Sequence, residues 1–254
     1  MKLFVIVLSV LFLAGCGSTG GKGGGSIQET KVDARASAKV HTELAAIYYG
    51  QNRYGLALDE LKFALNMDSR YAPAYDVRGL VYMALQEDKK AEEDFEQSLS
   101  LDGSNSGARN NYGWFLCQRG REKESMQQFL EAIKNPLYDT PEKAYLNAGL
   151  CEKKAGKTRE AENYLKRALS IHPKMREALI GMAELSFAQA DYAGAKSYFL
   201  RLSRSGAELS AADLFLAARV ERKLGDKNAE ASYKLQLRKR FPESRETQLL
   251  LKGE

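Results

Sequence analysis

Histidine is almost missing from this sequence, and its scarcity removes much enzyme chemistry at the outset. Only His41 and His172 occur. They lie far apart in the chain, and neither stands near a cysteine or a carboxylate pair at metal-ligand spacing. His172 precedes Pro173, a setting that fits a helix end better than a catalytic base. There is no Gly-x-Ser-x-Gly elbow, no phosphate-binding loop and no His-Glu-x-x-His pair. With no nucleophile paired to a base, the chain is expected not to be an enzyme and to need no cofactor, metal or small-molecule substrate. A strong charge bias is lacking too: 38 Lys and Arg are interspersed with 33 Asp and Glu, for a net charge of +5. That is a mixed, solvated surface and does not point to nucleic acid. Past the N-terminus, no apolar run approaches the ~20 residues that span a membrane. Strand-like alternation is also absent.

The one apolar run, Leu3 to Leu13, is broken only by Ser9 and follows Lys2. It is too short to span a bilayer and reads as a secretory signal over residues 1–15. Its ending, Leu13-Ala14-Gly15-Cys16, resembles the bacterial lipoprotein box. That resemblance implies cleavage before Cys16 and acylation of its thiol; the alternative is an ordinary signal with a chance cysteine. Gly17 follows, not the Asp that tends to retain lipoproteins in the inner membrane of enteric bacteria. The expected location is therefore the periplasmic face of the outer membrane, with the lipid as anchor. Three acyl chains, as the resemblance implies, exceed the two-signal requirement for stable attachment. Residues 16–36 then form a tether: glycine this dense buries no core, and about 18 residues reach roughly 20–25 Å as a coil.

Beyond the tether the dominant signal is a period. A small residue followed four positions later by a bulky one recurs at Ala57/Leu61, Ala91/Phe95, Ser125/Phe129, Ala161/Leu165, Ala195/Phe199 and Ala229/Tyr233. The steps are 34, 34, 36, 34 and 34 residues. Twelve positions before each small residue stands another: Ala45, Gly79, Gly113, Gly149, Ala183 and Ala217. Each unit is predicted to be two antiparallel helices, the Gly or Ala of the first admitting the bulky residue of the second. Turns within units fall at Gly50-Gln51-Asn52, Gly120, Gly156 and Gly225. The pattern matches the tetratricopeptide repeat, whose period is 34. The expected fold is all-α: a right-handed superhelical solenoid of six tetratricopeptide helix pairs over residues 37–243, with a C-terminal tail at 244–254. The long step places two prolines around Asn135–Pro141, and Pro141 suits the start of a helix.

Two features carry functional weight. Cys117 and Cys151 fall at nearly equivalent places on the first helices of units three and four. An oxidising periplasm favours a disulfide between them, worth roughly 3–4 kcal/mol on the chain-entropy estimate; the alternative is two buried thiols. The second feature is the groove that solenoids present along their first helices. Positions two, five, nine and twelve of each unit are expected to face it. In units one to three these include Lys39, Thr42, Tyr49, Asp76, Leu80, Met83, Asn110 and Trp114. In unit four they are Lys143, Leu146, Leu150 and Lys153. Tyr49, Leu80, Met83 and Trp114 would make the surface partly apolar, as suits a peptide. Trp114 has an alternative place, packed between repeats.

Three strings are more specific than the repeat: Asn110-Asn111-Tyr112-Gly113-Trp114-Phe115-Leu116-Cys117, Asn135-Pro136-Leu137-Tyr138 and Asn147-Ala148-Gly149-Leu150-Cys151. Together with the lipobox and six repeats they resemble the type IV pilus biogenesis and stability lipoproteins, the PilF/PilW family. The resemblance spans essentially the whole mature chain. It implies a pilotin that binds the pilus secretin, helps it reach the outer membrane and promotes its multimerisation. It also implies the Cys117–Cys151 bridge. Another binding role competes with this one: a tetratricopeptide adaptor for outer-membrane protein assembly or for a periplasmic protease.

Overall fold

A computed structural model describes residues 33–206 and 208–253. The signal segment, Cys16 and nearly all of the tether lie outside the described residues. Among those described there are thirteen α-helices and no strand. Twelve of them form six consecutive pairs. Pair one is α1 (Ala34–Gly50) with α2 (Tyr54–Met67), and pair two is α3 (Ala72–Ala84) with α4 (Asp88–Leu101). Pair three is α5 (Ser106–Gln118) with α6 (Glu122–Lys134), and pair four is α7 (Pro141–Lys154) with α8 (Thr158–Ile171). Pair five is α9 (Arg176–Ala188) with α10 (Tyr192–Arg204), and pair six is α11 (Ala211–Leu224) with α12 (Lys227–Arg240). The expected helical solenoid and its six-unit register are found.

The first helix starts earlier than the sequence indicates. Residues up to 36 read as tether, yet α1 begins at Ala34 because the Asp33 side chain accepts N–H bonds from Arg35 and Ala36. Such a cap satisfies donors that a helix start otherwise leaves open. At the other end, the stretch read as a tail contains α13 (Arg245–Leu251), capped by Ser244. This helix packs on α11 and α12, where the first helix of a seventh pair would lie.

Side-chain size explains the pairing. All six small residues on the first helices are buried. A Cβ added at Gly79 would lie 2.9 Å from the Phe95 ring, one at Gly113 2.7 Å from Phe129, and one at Gly149 2.7 Å from Leu165. Those distances are too short for any side chain, so glycine sets how closely the two helices of a pair approach. The turn within every pair contains one residue with positive φ: Asn52, Gln86, Gly120, Gly156, Ala190 and Gly225. Three of these are not glycine, so the conformation belongs to the repeat and not to one residue type.

Stacking puts the first helices inside. Each first helix packs against the next, α1 on α3 and so on to α11, whereas the second helices of successive pairs stay apart. The first helices therefore line the inner, concave side of the curved stack. The N-terminal end is open. Val40 and Ile47 are 60% and 56% exposed, while Ala74 and Val81, one repeat later, are fully buried by the preceding pair.

Candidate protein-binding groove

Polar links join neighbouring first helices along the concave side. The Asn111 side-chain amide donates to both Asp76 carboxylate oxygens, at 3.2 and 3.0 Å, joining α3 to α5. Asn147 donates to Asn110 Oδ1 at 3.0 Å, joining α5 to α7. Lys153 pairs with Glu184, and Arg176 with Asp213, continuing the ladder to α11. Burial pushes the Asp76 carboxyl up to about 6, opposed by the Asn111 hydrogen bond. The Tyr138 phenol, from the long loop between pairs three and four, is also raised, chiefly by burial, with the Asp76 charge contributing.

The side chains predicted to face a partner divide into two groups. Lys39 is exposed and reaches Glu43 at 3.8 Å on its own helix. Tyr49 is half-buried, its ring 6.1 Å from that of Tyr54. Leu80 and Met83 are half-buried against the core of Phe95, Tyr112 and Phe115. These keep some surface for contact. Thr42 and Asn110 do not, which corrects the expectation for them. Thr42 is 4% exposed, its hydroxyl donating to the Ala38 carbonyl, and Asn110 is 6% exposed beneath Asn147. Leu146 is buried likewise.

All three occupy position five of their units. That position lies three residues before the small one and so shares its stripe on the helix, turned inward. Asp76, also at position five, has its carboxylate held by Asn111. Trp114 is half-buried and packs on the cluster of Cys117, Met126, Phe129, Ala148 and Cys151. It is thus an inter-repeat residue with one side toward the groove. Asn111 and Asn147, which the positional rule passed over, stand two residues before Gly113 and Gly149. Counting one position further along the helix would have found both.

Cys117 and Cys151 meet across α5 and α7, with Cα atoms 5.9 Å apart and sulfurs at 2.13 Å. Both are buried, and the Ser125 hydroxyl lies 3.6 Å from the Cys151 sulfur. Among the described residues no cluster of three or more His, Cys, Asp or Glu side chains could hold a metal ion. No helix there is long and apolar enough to cross a membrane. What the groove can do chemically is hold polypeptide: half-buried apolar side chains beside amide and carboxylate groups held in place.

Comparison with known proteins agrees with this architecture. The tetratricopeptide repeat pattern matches residues 72–105 and 153–218. The type IV pilus assembly protein PilF of Pseudomonas aeruginosa is 29% identical over 242 residues, covering 94% of this chain and 96% of that protein. The crystal structure of PilW, described as a widely conserved type IV pilus biogenesis factor, is 36% identical with a TM-score of 0.77. That match covers 84% of this chain and 98% of PilW. The structure of Pseudomonas aeruginosa PilF gives 27% identity and a TM-score of 0.77, over 87% and 99% of the two chains.

Proposed function

Because this chain belongs to the PilF/PilW family of type IV pilus biogenesis proteins, we propose that it acts as a pilotin for the pilus secretin. In this reading Cys16 carries the lipid, and the protein sits on the periplasmic face of the outer membrane. The groove of the N-terminal repeats holds a segment of the secretin subunit, and the anchor concentrates subunits at the membrane where the ring assembles. Cys117 and Cys151 are oxidised there and tie repeats three and four together. The observation that carries the proposal is end-to-end likeness: similarity to pilus biogenesis proteins covers nearly the full length of both partners. A shared repeat alone would match in part. Tyr49, Leu80 and Met83, half-buried on the first helices, supply apolar contact of the kind a peptide needs.

The test replaces Cys16 with Ser and follows where secretin multimers fractionate. Multimers should form but stay in the inner membrane. Normal delivery to the outer membrane with this variant would refute the lipid's role. A deletion strain with normal secretin rings and a general envelope defect would favour the adaptor role instead.

A further inference from the structure

The groove has a second chemically distinct stretch, far along the stack from Tyr49 and Leu80. Two adjoining cavities of about 370 and 410 Å³ share Phe215, Arg219 and Leu249. Their walls come from α9, α11 and α13 alone, so they lie on the concave side. Phe187 and Phe215 are half-buried and form an apolar floor, with Leu249 of α13 closing one side. Arg219 is exposed, its guanidinium 4.7 Å from the Phe187 ring centre and 5.7 Å from that of Phe215. Stacking of this kind fixes the guanidinium plane while leaving its N–H edge open to a carboxylate.

The charges around this floor are unbalanced. Elsewhere on the concave side cations meet acids, as Lys153 meets Glu184 and Arg176 meets Asp213. Here Arg219, Lys223 and Arg245 have no ion pair among the described residues, and the only unpaired acid on the walls is Glu246. Three free cations beside two aromatic rings are complementary to a ligand that brings carboxylates and an apolar side chain together.

We infer that the concave face of repeats five and six is a second docking site, for a polypeptide segment in which an aromatic or leucine side chain is flanked by Asp and Glu. The apolar side chain rests on Phe187 and Phe215, and the carboxylates reach Arg219, Lys223 and Arg245. This site is independent of the secretin reading and uses none of its residues. It gives the protein two clients, one at each end of the groove.

The probe is a fluorescein-labelled peptide in which one Trp and one Leu are flanked by Asp and Glu. It is titrated by anisotropy against the full chain bearing Cys16→Ser. Two control peptides replace the acids with Lys, or the Trp and Leu with Ser. The acidic peptide should bind, both controls should bind at least about tenfold more weakly, and added salt should loosen the complex. Arg219→Glu with Lys223→Glu, both exposed positions, should lose about tenfold for the acidic peptide and gain binding of the Lys version. Thermal melts check that this variant stays folded.

No binding of the acidic peptide, or equal binding by the charge-reversed variant, overturns the inference. So does tighter peptide binding after deletion of residues 17–32, which would make the chain's own N-terminal segment the occupant. Self-association that Arg219→Glu abolishes would give the site to a second copy and overturn it equally. Secretin localisation is unaffected by any of these outcomes, so this proposal and the pilotin reading fail separately.

Discussion

A methyl group at Gly113 would sit 2.7 Å from the Phe129 ring, and that ring is fully buried. Ala is a better helix former than Gly by up to about 1 kcal/mol, but forcing the ring aside costs about 1–3 kcal/mol. Gly113→Ala should therefore destabilise by about 1–2 kcal/mol in urea unfolding, while Gly55→Ala, with nothing within 4 Å, should stabilise by about 0.5–1 kcal/mol. Asp76 offers a pH test. Its carboxyl is raised from 3.8 to about 6, so between those values the folded protein binds more protons than the unfolded chain. Stability from this group is greatest below 3.8 and falls as pH rises through about 6. Asp76→Asn should then gain about 1–2 kcal/mol over wild type at neutral pH, an allowance reduced for the residue's partial exposure. The gain should vanish in melts near pH 3.5. The close contacts at Gly79, Gly113 and Gly149 were legible from the period, because small residues twelve positions ahead of small-plus-bulky pairs have one packing explanation. The state of Asp76 was not: its burial arises where two helices and the Tyr138 loop converge, and no local spacing encodes that.

At the scale of elements, the proposed bridge would hold the first helices of repeats three and four by more than packing. Oxidised, Cys117 and Cys151 would close a separation of 34 residues between α5 and α7, which on the chain-entropy estimate stabilises by roughly 3–4 kcal/mol. Oxidised wild type should melt well above the Cys117→Ser/Cys151→Ser variant, and a reductant should lower wild type to the variant's level. A melting point insensitive to reductant would show that the thiols are free. Helix boundaries were largely readable, since the turns and the spacing of small residues fix them within a few positions. The exceptions have local causes. Asp33 extends α1 backward by capping it, and Ser244 starts α13 in a stretch whose composition reads as a tail. Face assignment failed at position five, where Thr42, Asn110 and Leu146 turn inward with the small residues. The C-terminal groove was missed because Phe187 comes from unit five and Phe215 and Arg219 from unit six, and only the stacking of the two units gathers them.

At the scale of the whole molecule, helix contacts among the described residues run only between neighbouring pairs, so stability is a sum of local pieces and not a property of one shared core. Removing residues 244–254 should speed amide exchange in α11 and α12, which α13 covers, while leaving α1 to α4 unchanged. Exchange rising evenly along the chain would contradict this. The two ends of the stack differ in the same respect. Val40 and Ile47 stand bare at positions that repeats two to five bury, whereas α13 already occupies the place beyond pair six. Growth of this solenoid is therefore directional. A helix pair fused ahead of Asp33 would find a surface waiting to be covered, but one fused after the last helix would find that surface taken. A lineage or an engineer adding repeats to this chain would have to insert them at the front or between existing pairs.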